Sequence, residues 1–266
     1  MANRSALFNV MAAAARKAAK GLIRDFGEVE QLQVSVKGPG DFVSSADLKA
    51  ENVLRRELEK ARPGYGFLME EGGELKGKDE AHRFIIDPLD GTTNFLHGLP
   101  HWAISIGLER EGKLIAGLVL DPIKDELFWA ERGLGAYVND RRLRVSARRE
   151  LPDSLIATGI PFRGHGDHAK YVQTLGPVMA GTSGVRRWGV ASLDLAYVAA
   201  GRFDGFWEYG LKPWDVAAGL LLVREAGGYV TDFDGGQDVL EAEGIVAANG
   251  ELHERLRKML KEASSG

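Results

Sequence analysis

The segment that most constrains this chain is Arg83-Phe84-Ile85-Ile86, which runs straight into Asp87-Pro88-Leu89-Asp90-Gly91-Thr92-Thr93-Asn94. The apolar run reads as a buried strand. It delivers two acids, three residues apart, out of a core. Pro88 fixes φ and lacks an N–H, so the strand is expected to end there. Gly91-Thr92-Thr93 then opens a helical turn with free backbone N–H groups and hydroxyls. Carboxylates so placed suit a divalent cation, and the turn suits an anion. The Leu89 carbonyl, between the acids, is placed to be a third oxygen ligand. Taken singly, either aspartate reads more readily as the cap of a turn.

Composition narrows the chemistry. The 266 residues include no cysteine, which excludes a catalytic thiol, an iron–sulfur cluster and Cys-based zinc. Hard-oxygen metal chemistry on Asp and Glu remains open. Apolar residues make up 44% and charged residues 27%, which is globular composition. At about 100–200 residues per domain, this length fits one large domain or two closely packed ones. A net charge of -4 is mild and points to neither nucleic acid nor membrane. No apolar run reaches the ~18 residues of a membrane span. Residues 5–15 after Arg4 faintly resemble a signal peptide, but Asn9 interrupts them and Arg16-Lys17 continues helical composition. The expectation is an amphipathic first helix in a cytoplasmic protein.

Apolar spacing predicts helices over 5–26 and from 45 to about 61, with Pro63-Gly64 as a stop. Strands are expected at 34–37, ended by Gly38-Pro39-Gly40, and at 65–69, 83–86, 102–109, 113–120 and 126–131. A hairpin falls within 134–145, and the Gly- and Lys-rich stretch 72–80 reads as a loop. The first half, about 1–145, is therefore expected to be α+β with an antiparallel sheet. The second half, about 146–266, alternates strands (155–158, 186–188, 203–208, 229–231, 245–248) with helices (168–179, 191–200, 214–225, 251–263). Such alternation argues for an α/β layer. The whole reads as one domain over 1–266.

Two further acidic positions can complete the cluster. Glu70-Glu71 ends the strand at 65–69, although two solvated glutamates at a loop entry would look the same. Asp215 opens a helix after Lys212-Pro213-Trp214, an ordinary place for an aspartate. A shared cation is the physical reason to gather such groups, because without one they raise one another's pKa.

With these residues in view, the chain resembles the inositol monophosphatase family of magnesium-dependent, lithium-sensitive phosphatases. Asp87 to Asn94 resembles one family signature. Trp214-Asp-Val-Ala-Ala-Gly219 through Glu225-Ala-Gly-Gly228 resembles the second. Met69-Glu-Glu71 and Ser45-Ala-Asp47 match in order and spacing, and the likeness spans roughly residues 5–250. The resemblance implies a layered αβαβα sandwich. It also implies two to three Mg²⁺ ions on Glu70, Asp87, Asp90, Asp215 and the Leu89 carbonyl. Glu70 and Thr92 would activate the attacking water, with Asp47 bonded to Thr92. Gly91, Thr92 and the following amides would hold phosphate. Glu208, Gly189, Val190 and Ala191, with Asp90 and Asp215, would meet substrate hydroxyls. Two departures stand out: Val190 is apolar where relatives often carry a hydroxyl, and Gly72-Gly73 replaces a common serine, which is expected to loosen that loop. A homodimer is implied as well, with Trp188 and Arg186-Arg187 as candidates for its interface and core packing an equal explanation for Trp188.

The function so implied is hydrolysis of myo-inositol monophosphate, or a related small polyol phosphate, by in-line attack of a metal-activated water without a phosphoenzyme. Alternatives within this chemistry are a fructose-1,6-bisphosphatase, a 3′-phosphonucleotide phosphatase and a histidinol-phosphate phosphatase. A rival of another class is a protein that binds RNA or transcription machinery through Arg141–Arg149. Several motifs read as decoys. Gly72–Lys78 mimics a phosphate loop but is followed by Asp79, not Ser or Thr. Asp232-Phe-Asp234-Gly235 lacks calcium-loop spacing. His97 and His101 are separated by Gly98 and Pro100, and His165-Gly-Asp-His168 is similarly weak for zinc.

Overall fold

A strand buried on both faces needs a layer on each side, and five layers result. The computed structural model describes residues 4–28, 34–38, 41–162 and 166–264, with backbone alone for 34–38 and 41–44. The outer helical layer is α1 (Ala6–Phe26) and α2 (Ser45–Ala61), with a two-stranded ribbon of β1 (Val34–Gly38) and β2 (Asp41–Ser44) between them in sequence. The Ser5 hydroxyl caps α1 by accepting the Phe8 N–H at 3.0 Å.

The first sheet contains β3 (Tyr65–Met69), β4 (Gly73–Leu75), β5 (Asp79–Asp90), β6 (Ala103–Arg110), β7 (Lys113–Asp121), β8 (Glu126–Glu131), β9 (Gly135–Val138) and β10 (Arg141–Arg142). Its order is β10-β9-β8-β7-β6-β5-β3-β4. A short helix, α3 (Thr92–Leu96), follows β5. The second sheet contains β11 (Leu155–Thr158), β12 (Gly184–Arg186), β13 (Gly205–Tyr209), β14 (Tyr229–Asp232) and β15 (Gly244–Ala248), in the order β12-β11-β13-β15-β14. Between the sheets lie α5 (Ala191–Ala199) and α6 (Pro213–Glu225). Outside the second sheet lie α4 (His168–Gly181) and α7 (Gly250–Ser264).

Alternation along the strands assigns each side chain to a layer. In β5, Phe84 and Ile86 pack with Met11, Leu54 and Leu58 of the outer helices, whereas Ile85 joins the central core of α5 and α6. In the second sheet Ala157 and Phe206 face that same central core, while Ile156 and Trp207 face α4 and α7. The central helices are covered on all sides. All nine residues of α5 are buried, as is every residue of α6 from Val216 to Val223. That explains why they lack a polar face.

The mixed α/β, five-layer architecture is as expected, and four local expectations are corrected. The stretch 72–80 is not a loop: it forms β4 and the start of β5, because Met69 pairs with Gly73 across a tight turn. The first sheet is not wholly antiparallel, since β3 and β5 run parallel. Pro88 does not end β5. It sits in an irregularity between Asp87 and Asp90, where a missing N–H costs no ladder bond, and pairing resumes at Asp90 with Ala103. Finally, β12 lies at Gly184–Arg186, two residues before its expected place. The expected stop at Gly38-Pro39-Gly40 falls at 39–40 outside the described residues, and so does His165. Among the described residues no helix is long and apolar enough to cross a membrane.

Helix α6 lies almost on the backbone of the first sheet. A Cβ at Gly117 of β7 would stand 2.8 Å from the Ala218 carbonyl oxygen and 2.9 Å from its Cα. Gly117→Ala must push α6 away, so unfolding free energy from urea melts is expected to fall by about 1–3 kcal/mol.

Candidate active site

Neighbouring parallel strands end side by side, and this brings the first acids together. Glu70 follows β3, and its N–H donates to the Ile86 carbonyl at 3.3 Å, beside Asp87. Asp87 is 2% exposed, and its carboxylate accepts the Leu89 N–H at 2.9 Å. Asp215 arrives from the other half of the chain. It is the third residue of α6, held by the Lys212 N–H, which donates to its carboxylate at 2.7 Å.

Asp90 bridges the halves directly. Its carboxylate accepts the Ser192 N–H at 2.7 Å, and the amides of Ala191 and Gly91 lie on it too. It therefore caps α5 from 102 residues away in sequence. Gly91 has φ +93°, the left-handed region, and a Cβ there would stand 2.8 Å from Val190 Cγ2. Both facts exclude a side chain. Val190 is fully buried against this glycine and precedes α5, with Gly189 (φ +73°) before it.

The Thr92 hydroxyl lies 3.0 Å from the Leu89 carbonyl and 3.5 Å from Asp47 Oδ2. Its single proton serves one of them at a time. Asn94 ties the turn to its surroundings by donating to the carbonyls of His101 (2.9 Å) and Trp188 (2.8 Å). Asp47, Glu70 and Glu71 each offer an oxygen within 4.8 Å of the others. Glu71 and Asp47 were not among the expected metal ligands. Gly72 and Gly73 do not loosen the adjoining loop, because Met69 and Gly73 pair in the ladder.

The electrostatics follow from this crowding. Burial first, then the fields of Glu70, Asp90, Asp215 and Asp47, raise Asp87 well above the usual carboxylate range. Burial, then Asp90, raises Asp215 likewise. Burial pushes Asp90 up to about 6, while its bonds from Ser192, Ala191 and Gly91 oppose the shift. Among the described residues, neither Asp87, Asp90 nor Asp215 forms an ion pair with Lys or Arg.

Glu208, on β13, forms a second centre. Its carboxylate lies flat on Gly159, where a Cβ would come within bonding range of it. Burial, with the fields of Asp215 and Asp90, pushes it up to about 8, and the Arg187 guanidinium opposes this. Asp194, which the sequence reading missed, faces Glu208 and Asp90 from α5. It is 1% exposed, neither oxygen has a hydrogen-bond partner, and burial raises it strongly. The one signal for it was an acid inside an otherwise apolar helix.

The decoys resolve into structure. Burial lowers His101 to about 4; Lys124 Nζ lies 3.3 Å from its ring, and the Trp188 ring meets it edge-on at 4.9 Å. Asp232 accepts the Asp234 and Gly236 amides in a turn. In the basic stretch, Arg148 pairs with Asp204 at 3.1 Å. A cleft of about 690 Å³, lined by Lys170, Tyr209, Asp232 and Glu243 among others, includes none of the clustered acids.

Comparison with known proteins agrees in extent with this fold. A family model described as the inositol monophosphatase family matches residues 3–265. An inositol-1-monophosphatase of Mesorhizobium japonicum is 60% identical over 262 residues, covering 98% of each chain. A Nus factor SuhB of Pseudomonas aeruginosa is 46% identical over 247 residues, covering 91% of each. The solved extragenic suppressor protein suhB of Bartonella henselae superposes with a TM-score of 0.94 at 59% identity, covering 97% of this chain and 99% of that one.

The raised acids set a pH dependence for the metal-free protein. Each binds its proton more tightly when folded than when unfolded, near pH 4. Between those values the native state holds more protons, so stability falls as pH rises. In chelator, denaturant melts are expected to weaken from pH 5 through about 6, where Asp90 titrates, and about 8, where Glu208 does. Asp87→Asn should stabilise the metal-free protein at pH 8 by about 1–2 kcal/mol, equivalent to about one pKa unit of relieved repulsion.

Proposed function

Because the chain belongs to the inositol monophosphatase family, we propose that it is a Mg²⁺-dependent phosphomonoesterase that hydrolyses myo-inositol monophosphate or a related small polyol phosphate. The observation that carries this reading is the group of Asp87, which is buried, with the half-buried Asp90, Asp215 and Glu70 around it, whose mutual repulsion calls for a cation. The all-oxygen donor set suits Mg²⁺. Glu70, Asp87, Asp90, Asp215 and the Leu89 carbonyl would hold two to three ions. When bound, Mg²⁺ neutralises phosphoryl charge, acidifies water and stabilises the leaving alkoxide.

The chain's own groups do the positioning. Glu70 and Thr92 orient the attacking water. With its own proton directed to Asp47 or Leu89, the Thr92 oxygen is left to accept one from that water. Gly91, Thr92 and the amides after them receive the phosphate. Glu208, with Asp90, Asp215 and the Gly189-Val190-Ala191 segment, meets the hydroxyls. Val190 contributes backbone only, because its side chain is buried. Inositol phosphate is preferred to the bisphosphate, phosphonucleotide and histidinol-phosphate alternatives because the 60% identical relative carries that activity in its name. The reading includes a cytoplasmic homodimer, for which the partly exposed Trp188 beside His101 is the candidate contact.

A phosphate-release panel over inositol, glycerol, fructose-1,6-bis- and adenosine 3′,5′-bisphosphates, with and without Mg²⁺ and Li⁺, tests the proposal. Activity on inositol monophosphate is expected only with Mg²⁺, and Asp87→Asn should lower kcat at least about 100-fold with the fold intact. Activity on none of the four would overturn the proposal. Steep salt-dependent RNA binding that survives Asp87→Asn would favour the rival reading, a protein that binds RNA or transcription machinery through Arg141–Arg149. Glu208→Ala should raise KM for inositol phosphate about tenfold, the worth of one lost hydrogen bond, and leave glycerol phosphate little changed.

A further inference from the structure

Glu51 has no role in the chemistry so far, yet it is a carboxylate 7% exposed beside the cluster. It stands four residues after Asp47 on α2, on the same face and one turn along. Its Oε2 accepts the Glu71 N–H at 2.8 Å. The turn that carries Glu70 and Glu71 is therefore fastened at successive amides. The Glu70 N–H goes to the Ile86 carbonyl, and the Glu71 N–H goes to Glu51. Residue 72 closes the arrangement. A Cβ there would lie 2.9 Å from Glu51 Oε1 and 2.8 Å from Met69 Cε. Gly72 thus leaves the space that Glu51 needs to reach the turn, and this departure from the family pattern goes with a tightened loop.

We propose that Glu51 is a positioning residue which, through the Glu71 amide and the space above Gly72, sets where the Glu70 and Glu71 carboxylates stand for cation binding. The inference rests on the Mg²⁺-dependent reading above. Without Glu51 the Glu71 amide loses its acceptor, and the turn loses its tie to α2. The carboxylates then sample positions in which they no longer converge. Supporting groups of this kind typically change metal affinity 10- to 100-fold.

The test uses the full chain and Mg²⁺ alone as the probe. In Glu51→Ala, the Mg²⁺ dissociation constant by calorimetry and the Mg²⁺ half-saturation of phosphate release should both rise about 10- to 100-fold. KM for inositol phosphate at saturating Mg²⁺ should stay within about twofold, and hydrogen exchange at the Glu71 amide in chelator should quicken. Glu51→Gln keeps an oxygen acceptor and should recover most of the affinity. Gly72→Ala, which displaces the Glu51 carboxylate without removing it, should weaken Mg²⁺ binding by a smaller factor and serves if Glu51→Ala does not fold. Mg²⁺ binding at the wild-type level in both Glu51→Ala and Gly72→Ala would overturn the inference, as would unchanged Glu71 exchange. If the wild-type chain neither binds Mg²⁺ nor releases phosphate, the proposed function fails instead. The exchange rate of the Glu71 amide in the two variants then decides alone whether Glu51 fixes the turn.

Discussion

Like charges crowded around one buried aspartate are the constraint on which this structure turns. Asp87, Asp90, Asp215 and Glu70 each raise the cost of ionising a neighbour, and no lysine or arginine side chain among the described residues pairs with the three aspartates. The rest of the protein must hold them there. It does so with backbone: the Leu89, Ser192 and Lys212 amides each donate to one of the aspartates. Amide dipoles stabilise a carboxylate without neutralising it, so the cluster keeps its appetite for a cation.

That arrangement requires both halves of the chain. Asp90 leaves the first sheet and caps α5, and Asp215 opens α6, which packs against the backbone of β7 at Gly117. Both helices belong to the central layer, buried between the sheets. The site therefore sits where the strands of one sheet and the helix starts of the middle layer meet. A shift of α6 moves Asp215 relative to Asp87, so packing at a glycine far from the chemistry bears on the geometry of the acids.

What was legible in the sequence was mostly contiguous. Asp87 to Asn94 is one uninterrupted string, and Asp215 stands at a helix start marked by Pro213. Both are local signals. What escaped depends on partners brought close by folding. Glu51 reads as one more acid on a charged helix until the turn at 70–72 is seen against it. Asp194 breaks an apolar helix, and only the burial of α5 on all sides makes it anomalous. The strand β4 was hidden because Gly73 and Glu74 have weak strand character, and pairing with β3 overrides that. Pro88 was misjudged for the same reason: a proline ends a regular strand, but an irregularity in the ladder accommodates it.

The acids divide into two poles with different needs. Around Asp87 the carboxylates crowd one another and only positive charge relieves them. Around Glu208 the balance differs, because the Arg187 guanidinium offsets part of the repulsion and burial holds the proton on up to about pH 8. A carboxyl that is largely protonated near neutrality can donate to a hydroxyl oxygen as well as accept from a hydroxyl. Asp194 behind it is likewise held towards its neutral form by burial, and then by Glu208 and Asp90. One pole thus suits a cation with a bound dianion, and the other suits an uncharged, hydroxyl-bearing group. A phosphate ester of a polyol carries those two ends on one molecule, so the electrostatics of the two poles support the substrate class proposed above.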